Sequence, residues 1–283
     1  MKKLKNFLLS IVVISSLTSC SKNDDHPVAN NITLHFSNMF KNKAIVLGDA
    51  NSSTATVNTS AEGQTHHFSE LKYVISNIRL IKADGNEFPY HINDLDKGAT
   101  VVDHSKTPTL DFVLTNIPAG EYRQIRFGLG VKQELNTLDE VRFPNFYAAA
   151  GANDTEMHWE WGTGYRFTKL EGFWDLDKKE LSIHTGSTIQ GTEGEFTQGV
   201  DAYRDITLDL STQAIVGKNS PKITIVADFD KLLSGKTNTL ILGPGNATPS
   251  VHTAVEMVKF VDNLGGDGTS DMTGMFSIGG VEN

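Results

Sequence analysis

Cysteine is almost absent from this chain of 283 residues: Cys20 is the only one. No disulfide can close within one copy, and no thiolate-rich zinc site can be assembled. Basic clusters are also missing beyond Lys5, and the formal net charge is −9. Nucleic acid is therefore not expected as a partner, because phosphate recognition needs clustered Lys and Arg. The sequence has no G-x-S-x-G, no H-E-x-x-H, no C-x-x-C and no glycine-rich phosphate loop. No nucleophile–base pair can be argued, so a hydrolase is the least favoured reading and the chain is expected not to be an enzyme. Only one apolar run stands out, Phe7 to Leu17, and it is too short to span a bilayer.

That run follows Lys2, Lys3 and Lys5 and precedes Leu17-Thr18-Ser19-Cys20, the pattern of a secretory signal. The tetrapeptide resembles a bacterial lipobox, in which the cysteine is acylated and becomes the mature N-terminus. Residues 1–19 are then a signal peptide and 20–30 an acylated tether, leaving 31–283 as one domain. A plain signal peptide with an incidental cysteine is the alternative. The polar stretch Ser21 to His26 carries Asp24 and Asp25 and resembles the acidic tags that export lipoproteins to the cell surface. A solvated tether on a periplasm-facing outer-membrane anchor reads the same composition. Stable attachment needs at least two acyl chains.

The remainder has a globular balance, with 39% hydrophobic and 21% charged residues. Ile32, Leu34 and Phe36 alternate with polar residues, which predicts a half-buried strand over 31–40. Residues 43–47 read as a second strand and 49–64 as a loop. A long strand is expected over 68–82, with a bulge near Ser76-Asn77. Asp84-Gly85 is a hairpin turn, with a return over Tyr90 to Asn93. Strands follow around Leu110 to Leu114, Ile125 to Leu129, His158 to Leu170, Leu181 to His184, Ile206 to Leu210, Ile223 to Ala227 and Phe276 to Val281. A short helix is expected near Phe146 to Ala150, a helical turn at Asp228 to Leu233, and a helix over Val251 to Val261. Strands without helix alternation predict an all-β antiparallel sandwich with long loops and one or two short helices.

Nine histidines are the chemical asset. His66 and His67 are adjacent, so in a strand they point to opposite faces and cannot both hold one metal. His35, His91, His104, His158, His184 and His252 are spread along the chain, as a site built from neighbouring strands would require and as unrelated histidines would be. The densest aromatic segment runs from Met157 to Phe167. In a strand, Met157, Trp159 and Trp161 share one face, and His158 and Glu160 the other. Imidazole and thioether donors suit copper. Tryptophan and methionine at period two are more often core packing than ligands.

The same segment, with Lys169-Leu170-Glu171-Gly172, resembles the G-M-x-W-x-W-x-x-G-Y-x-x-x-K-x-E-G block of the MbnP-like proteins. Leu71 to Leu80 is similar to the family's L-K-Y-Y-I-S-N-I-x-L strand. Ile117 to Val131 is similar to its V-P-A-G-x-Y…F-x-I-G-V hairpin, followed by Asn136. Ile183-His184-Thr185-Gly186 and Met275-Phe276-Ser277-Ile278 resemble its F-x-H-x-G and M-F-x-I steps. The resemblance spans about residues 32–283. It implies a secreted β-sandwich that holds one copper ion through histidines, with a tryptophan at the copper that is oxidised to kynurenine in some members. It also implies company with a dihaem peroxidase or a TonB-dependent transporter. His184, Trp159 and Trp161 are the residues it carries over. Asn38 stands where relatives often have a histidine, and Gly280 to Asn283 where they often have an H-V-H-N-like tail. His35 and His158 are then the candidates to complete a metal set with His184.

Two other readings remain open. One is a surface binding module for a glycan or partner protein, with Trp159, Trp161 and Trp174 as stacking faces. The other is a family member that has lost its metal.

Overall fold

The computed structural model describes residues 29–137, 141–152, 157–159, 164–190, 197–251, 254–268 and 273–283. Cys20, Asp24, Asp25, His26, Trp161 and His252 lie outside the described residues.

The strands in chain order are β1 (Asn30–Phe40), β2 (Lys43–Ala44), β3 (Asn58–Thr59), β4 (Thr65–Lys82), β5 (Glu87–Pro89), β6 (Thr100–Asp103), β7 (Asp111–Ile117) and β8 (Gly120–Leu129). They continue with β9 (Thr168–Trp174), β10 (Lys179–Thr185), β11 (Ile189–Gln190), β12 (Thr197–Gln198), β13 (Arg204–Val216), β14 (Lys222–Asp228), β15 (Ser250–Val251) and β16 (Phe276–Glu282). The α-helices are α1 (Leu95–Gly98), α2 (Gln133–Asn136), α3 (Pro144–Tyr147) and α4 (Ala254–Gly265).

Two sheets face each other, as the all-β sandwich reading expects. One runs β16-β14-β1-β2, with β7 also on β1. The other runs β13-β8-β4-β9-β10-β15, with β3, β5 and β6 on β4. Most pairs are antiparallel. β1 with β14 and β10 with β15 are parallel, so both sheets are mixed.

Alternation decides the facing. In β1, Ile32, Leu34, Phe36, Asn38 and Phe40 are buried while Thr33, His35, Ser37 and Met39 are half-buried on the other side. Phe36 meets Tyr73 of the opposite sheet edge-on at 6.1 Å, and Phe127 meets Phe276 at 5.1 Å. Such T-shaped pairs match the ring quadrupoles while removing apolar surface from water. Asn38 is the polar exception in this layer. It accepts from the Tyr73 hydroxyl at 2.8 Å, and its amide nitrogen lies 3.0 Å from His104 Nδ1. Because the other nitrogen of His104 faces the Ile45 carbonyl at 2.9 Å, His104 donates there and accepts from Asn38. Burial is tolerated because each of these contacts is made.

The bulge expected at Ser76-Asn77 is present. Register shifts between Ser76 and Arg79, and Asn77 has φ +51°. Asn77 donates to the Tyr203 hydroxyl and to Asp205, which holds the kink from β13, the strand beyond β8.

The described residues 157–159 and 164–167 depart from the strand expected over His158 to Leu170. His158 and Tyr165 form one isolated bridge, and regular pairing begins only at Thr168. The Trp159 N–H donates to the Gly164 carbonyl, and the Arg166 N–H donates to that of Met157. Gly164 has φ +99° and packs against the Asn136 side chain, a conformation that suits glycine. Met157 and Trp159 are buried and His158 half-buried, so their alternation comes from loop packing rather than from a strand.

Candidate metal-binding site

The register of β4, β9 and β10 assembles the site. Leu170 is the register partner of Leu71 on one side and of Ile183 on the other, and all three are fully buried toward the core. Their sequence neighbours therefore point to the outer face of the nine-stranded sheet. One row there is Asp103, Lys72, Lys169 and His184, and the next is Glu70, Glu171 and Ser182.

Opposite charges meet between the rows. Lys169 Nζ lies 3.0 Å from Glu70 Oε2 and 3.9 Å from Glu171 Oε1. Lys72 pairs with Glu70 and lies 3.9 Å from Asp103. His184 Nε2 sits 2.9 Å from Glu171 Oε1 and 3.4 Å from the Ser182 hydroxyl. Lys169 is 3% exposed and His184 5%, whereas the Glu171 and Glu70 side chains keep contact with water, so the buried lysine and imidazole rely on half-exposed carboxylates. The Glu171 carboxyl is held below its usual value, first by the hydrogen bond from His184 and then by electrostatic attraction to Lys169, His184 and Arg166, against the effect of burial. An ionised carboxylate can only accept, so Nε2 of His184 carries the hydrogen.

Arg166 joins this ladder to the aromatic loop. Its charge bears on Glu171, and its guanidinium lies 5.1 Å from the centre of the Trp159 ring. Trp159 also packs against Gly186, where a β-carbon would come within 2.9 Å of the indole. His184 and Trp159, two residues named from the sequence, thus belong to one buried cluster.

The other two histidines are placed differently. His35 lies on the outer face of the five-stranded sheet, with Nδ1 2.7 Å from Asp111, and Lys222 reaches the same carboxylate at 3.6 Å. The whole core separates it from His184, so the expected set of His184, His158 and His35 is not one site. His158 packs edge-on between Tyr147 and Tyr165, with Nδ1 3.1 Å from the Trp159 carbonyl. Among the described residues, no group of three His, Cys, Asp or Glu side chains is arranged to hold a metal ion. Trp159 and Trp174 are both buried, so neither offers the stacking face that a glycan module would use.

The ladder itself escaped the sequence reading. Its signal was present as charges at alternate positions, Glu70 and Lys72, then Lys169 and Glu171, each pair flanking a core leucine. Their proximity depends on strand register, which one sequence does not specify.

Two facing mixed sheets with a buried histidine hydrogen-bonded to a half-exposed carboxylate define a β-sandwich protein of one type. A sequence model of the MbnP family matches residues 29–253, and the chain belongs to that family. Among solved structures, MbnP from Methylosinus trichosporium superposes with a TM-score of 0.59, covering 90% of this chain and 99% of that chain at 14% identity. At that identity the likeness establishes the fold. A comparison with curated proteins finds no match.

Proposed function

We propose that this chain is a copper-binding lipoprotein of the outer membrane, periplasm-facing or displayed at the surface, that captures or delivers the ion. The observation that carries the reading is the His184–Glu171 pair beside Trp159. Histidines that ligate metals usually donate their other ring N–H to a carboxylate, which fixes the tautomer and the ring. Imidazole favours copper over other divalent first-row ions. The described residues fit one such ligand and not a complete set, so the reading requires a further donor. A dihaem peroxidase or a TonB-dependent transporter is the partner class that fits this role.

Titration of the soluble mature protein with copper tests the site. Wild type should bind about one equivalent, and His184→Ala should lose most of the affinity. His35→Ala should bind as wild type does, because His35 is on the far face. His158→Ala and His252→Ala search for the further donor among the remaining histidines. Absence of micromolar binding by wild type would end the metal reading.

Attachment is tested separately. Cys20→Ala should leave the protein soluble and free of acyl label, because the cysteine is the acceptor of the lipid in this reading. Labelled palmitate on the variant would show that the anchor lies elsewhere.

A further inference from the structure

We infer that β3 and the turn after it form an acid-released flap over His66, latched closed by Asp230.

β3 is two residues long, and its pairing is with β4, Asn58 opposite His66 and Thr59 opposite Thr65. Register partners point to the same side of a sheet, so the buried Asn58 side chain lies inward beside the imidazole. So short a strand gives little sheet pairing, and side-chain contacts add the rest of the hold. Asn58 donates at 2.8 Å to Oδ1 of Asp230, in the helical turn Phe229–Leu232. The Ser234 hydroxyl donates to the same oxygen at 3.3 Å and accepts from the Ala61 N–H at 2.9 Å. Lys41 Nζ lies 3.4 Å from that oxygen and donates to the Thr59 carbonyl at 3.0 Å. One carboxylate oxygen thus gathers the ties of Asn58, Thr59 and Ala61. Gln64 adds a reciprocal pair of bonds with the backbone of Leu242.

His66 lies beneath these ties. Neither of its ring nitrogens has a hydrogen-bond partner among the described residues, and Phe40 and Phe68 pack against the ring. The charged and titratable groups that act on it are Asp230, His67 and Lys41. A proton on the ring would find one favourable charge, Asp230, whose Oδ1 is already engaged by Asn58, Ser234 and Lys41. The closed flap therefore excludes the imidazolium, and lifting β3 is the smallest movement that brings water to the ring. Opening takes up a proton below pH 6.5, and the pH dependence ends near 4, where the closed protein is protonated too. Between those limits the open fraction rises about tenfold for each pH unit lost. Global unfolding carries the same dependence, but the flap opens without exposing the core.

Backbone amide hydrogen exchange of the mature protein, corrected for the intrinsic rate, reads the opening. Ser60 and Ala61 report on the flap, since their N–H groups donate to the Gln64 carbonyl and the Ser234 hydroxyl. From pH 6.5 to about 5 their exchange should speed up about 30-fold and should stay insensitive to low urea, the mark of a local opening. Lys82, whose N–H donates to the Asn86 carbonyl at the other end of β4, should keep a constant corrected rate. His66→Phe should abolish the pH dependence at Ser60 and Ala61. Asp230→Ala, first shown to be folded by near-ultraviolet circular dichroism, should raise their exchange at pH 6.5 by about tenfold or more, as expected on losing hydrogen bonds to a charged group. A pH-independent rate at Ser60 and Ala61 in wild type, an equal rise at Lys82, or the urea dependence of global unfolding would overturn the inference, whether or not His66→Phe folds. A pH slope that survives in His66→Phe, or unchanged exchange in Asp230→Ala, would overturn it as well.

Discussion

Lowering the pH from 6.5 to about 4 should cost this fold on the order of 3 kcal/mol through His66 alone, at about 1.4 kcal/mol for each pH unit crossed. His66 is 1% exposed, and neither of its ring nitrogens has a hydrogen-bond partner among the described residues. Phe40 packs edge-on against the imidazole at 5.2 Å, and Phe68 lies 5.9 Å away. Burial lowers its pKa from 6.5 to about 4, because the charged ring cannot be solvated there. Asp230 acts in the opposite direction, whereas His67 and Lys41 add to the lowering. The sign follows from proton counting. Between the two values the unfolded chain binds the proton and the folded chain does not, so this contribution is intact above pH 6.5 and is lost as the pH falls toward 4. Carboxylates add their own acid dependence, so the informative quantity is a difference. His66→Phe keeps an aromatic ring between Phe40 and Phe68 and removes the titration. Urea unfolding of both proteins at pH 7 and pH 4.5 should show the wild type losing about 2–3 kcal/mol more than the variant. Parallel losses would mean that His66 is hydrated or already charged in the native state.

Gly130→Ala should destabilise by about 3 kcal/mol or more, for two separable reasons. Gly130 has φ +99°, where a side chain is strained by about 1–2 kcal/mol. Its β-carbon would also lie 2.2 Å from the ring of Phe167, which is fully buried and cannot withdraw. The backbone is pinned as well, since Gly130 donates to the Val74 carbonyl at 2.9 Å and accepts from the Ser76 hydroxyl at 2.6 Å. This residue therefore couples the end of β8 to the centre of β4 and to the loop that carries Trp159. Pairing Gly130→Ala with Phe167→Leu should relieve the steric part and leave the backbone part. Urea midpoints measure both. A loss below about 1 kcal/mol in the single variant would show that the loop yields more easily than its packing indicates.

Where hydrophobic period and burial coincide, the chain could be read directly. β1, the long β4 with its bulge, the β7–β8 turn, α4 and β16 all lie close to where their patterns place them. The same logic misplaced the start of the strand expected from His158, because Met157 and Trp159 are buried at alternate positions without regular strand pairing before Thr168. Periodicity reports burial, and it reports a strand only when the backbone pairs. His184 and Trp159 could be picked out through the family blocks, but their grouping with Glu171, Lys169 and Arg166 could not. Lysine and glutamate on a strand look like a solvated face until register sets them side by side, and here Lys72 and Lys169 are buried among them. His35 fails as a partner of His184 for a related reason. Residues on different sheets can be neighbours or opposites, and only topology decides which. The parallel pairing of β1 with β14, across nearly 190 residues of chain, has no local sequence signal at all.

Metal content decides most directly whether this chain is a copper protein. Mature protein exported to the periplasm of a copper-supplemented host, purified without chelators, can be analysed by elemental mass spectrometry alongside His184→Ala prepared in the same way. Wild type should carry about one copper per chain and His184→Ala a small fraction of that, with zinc low in both. Copper-free wild type, or equal copper in both proteins, would contradict the copper reading.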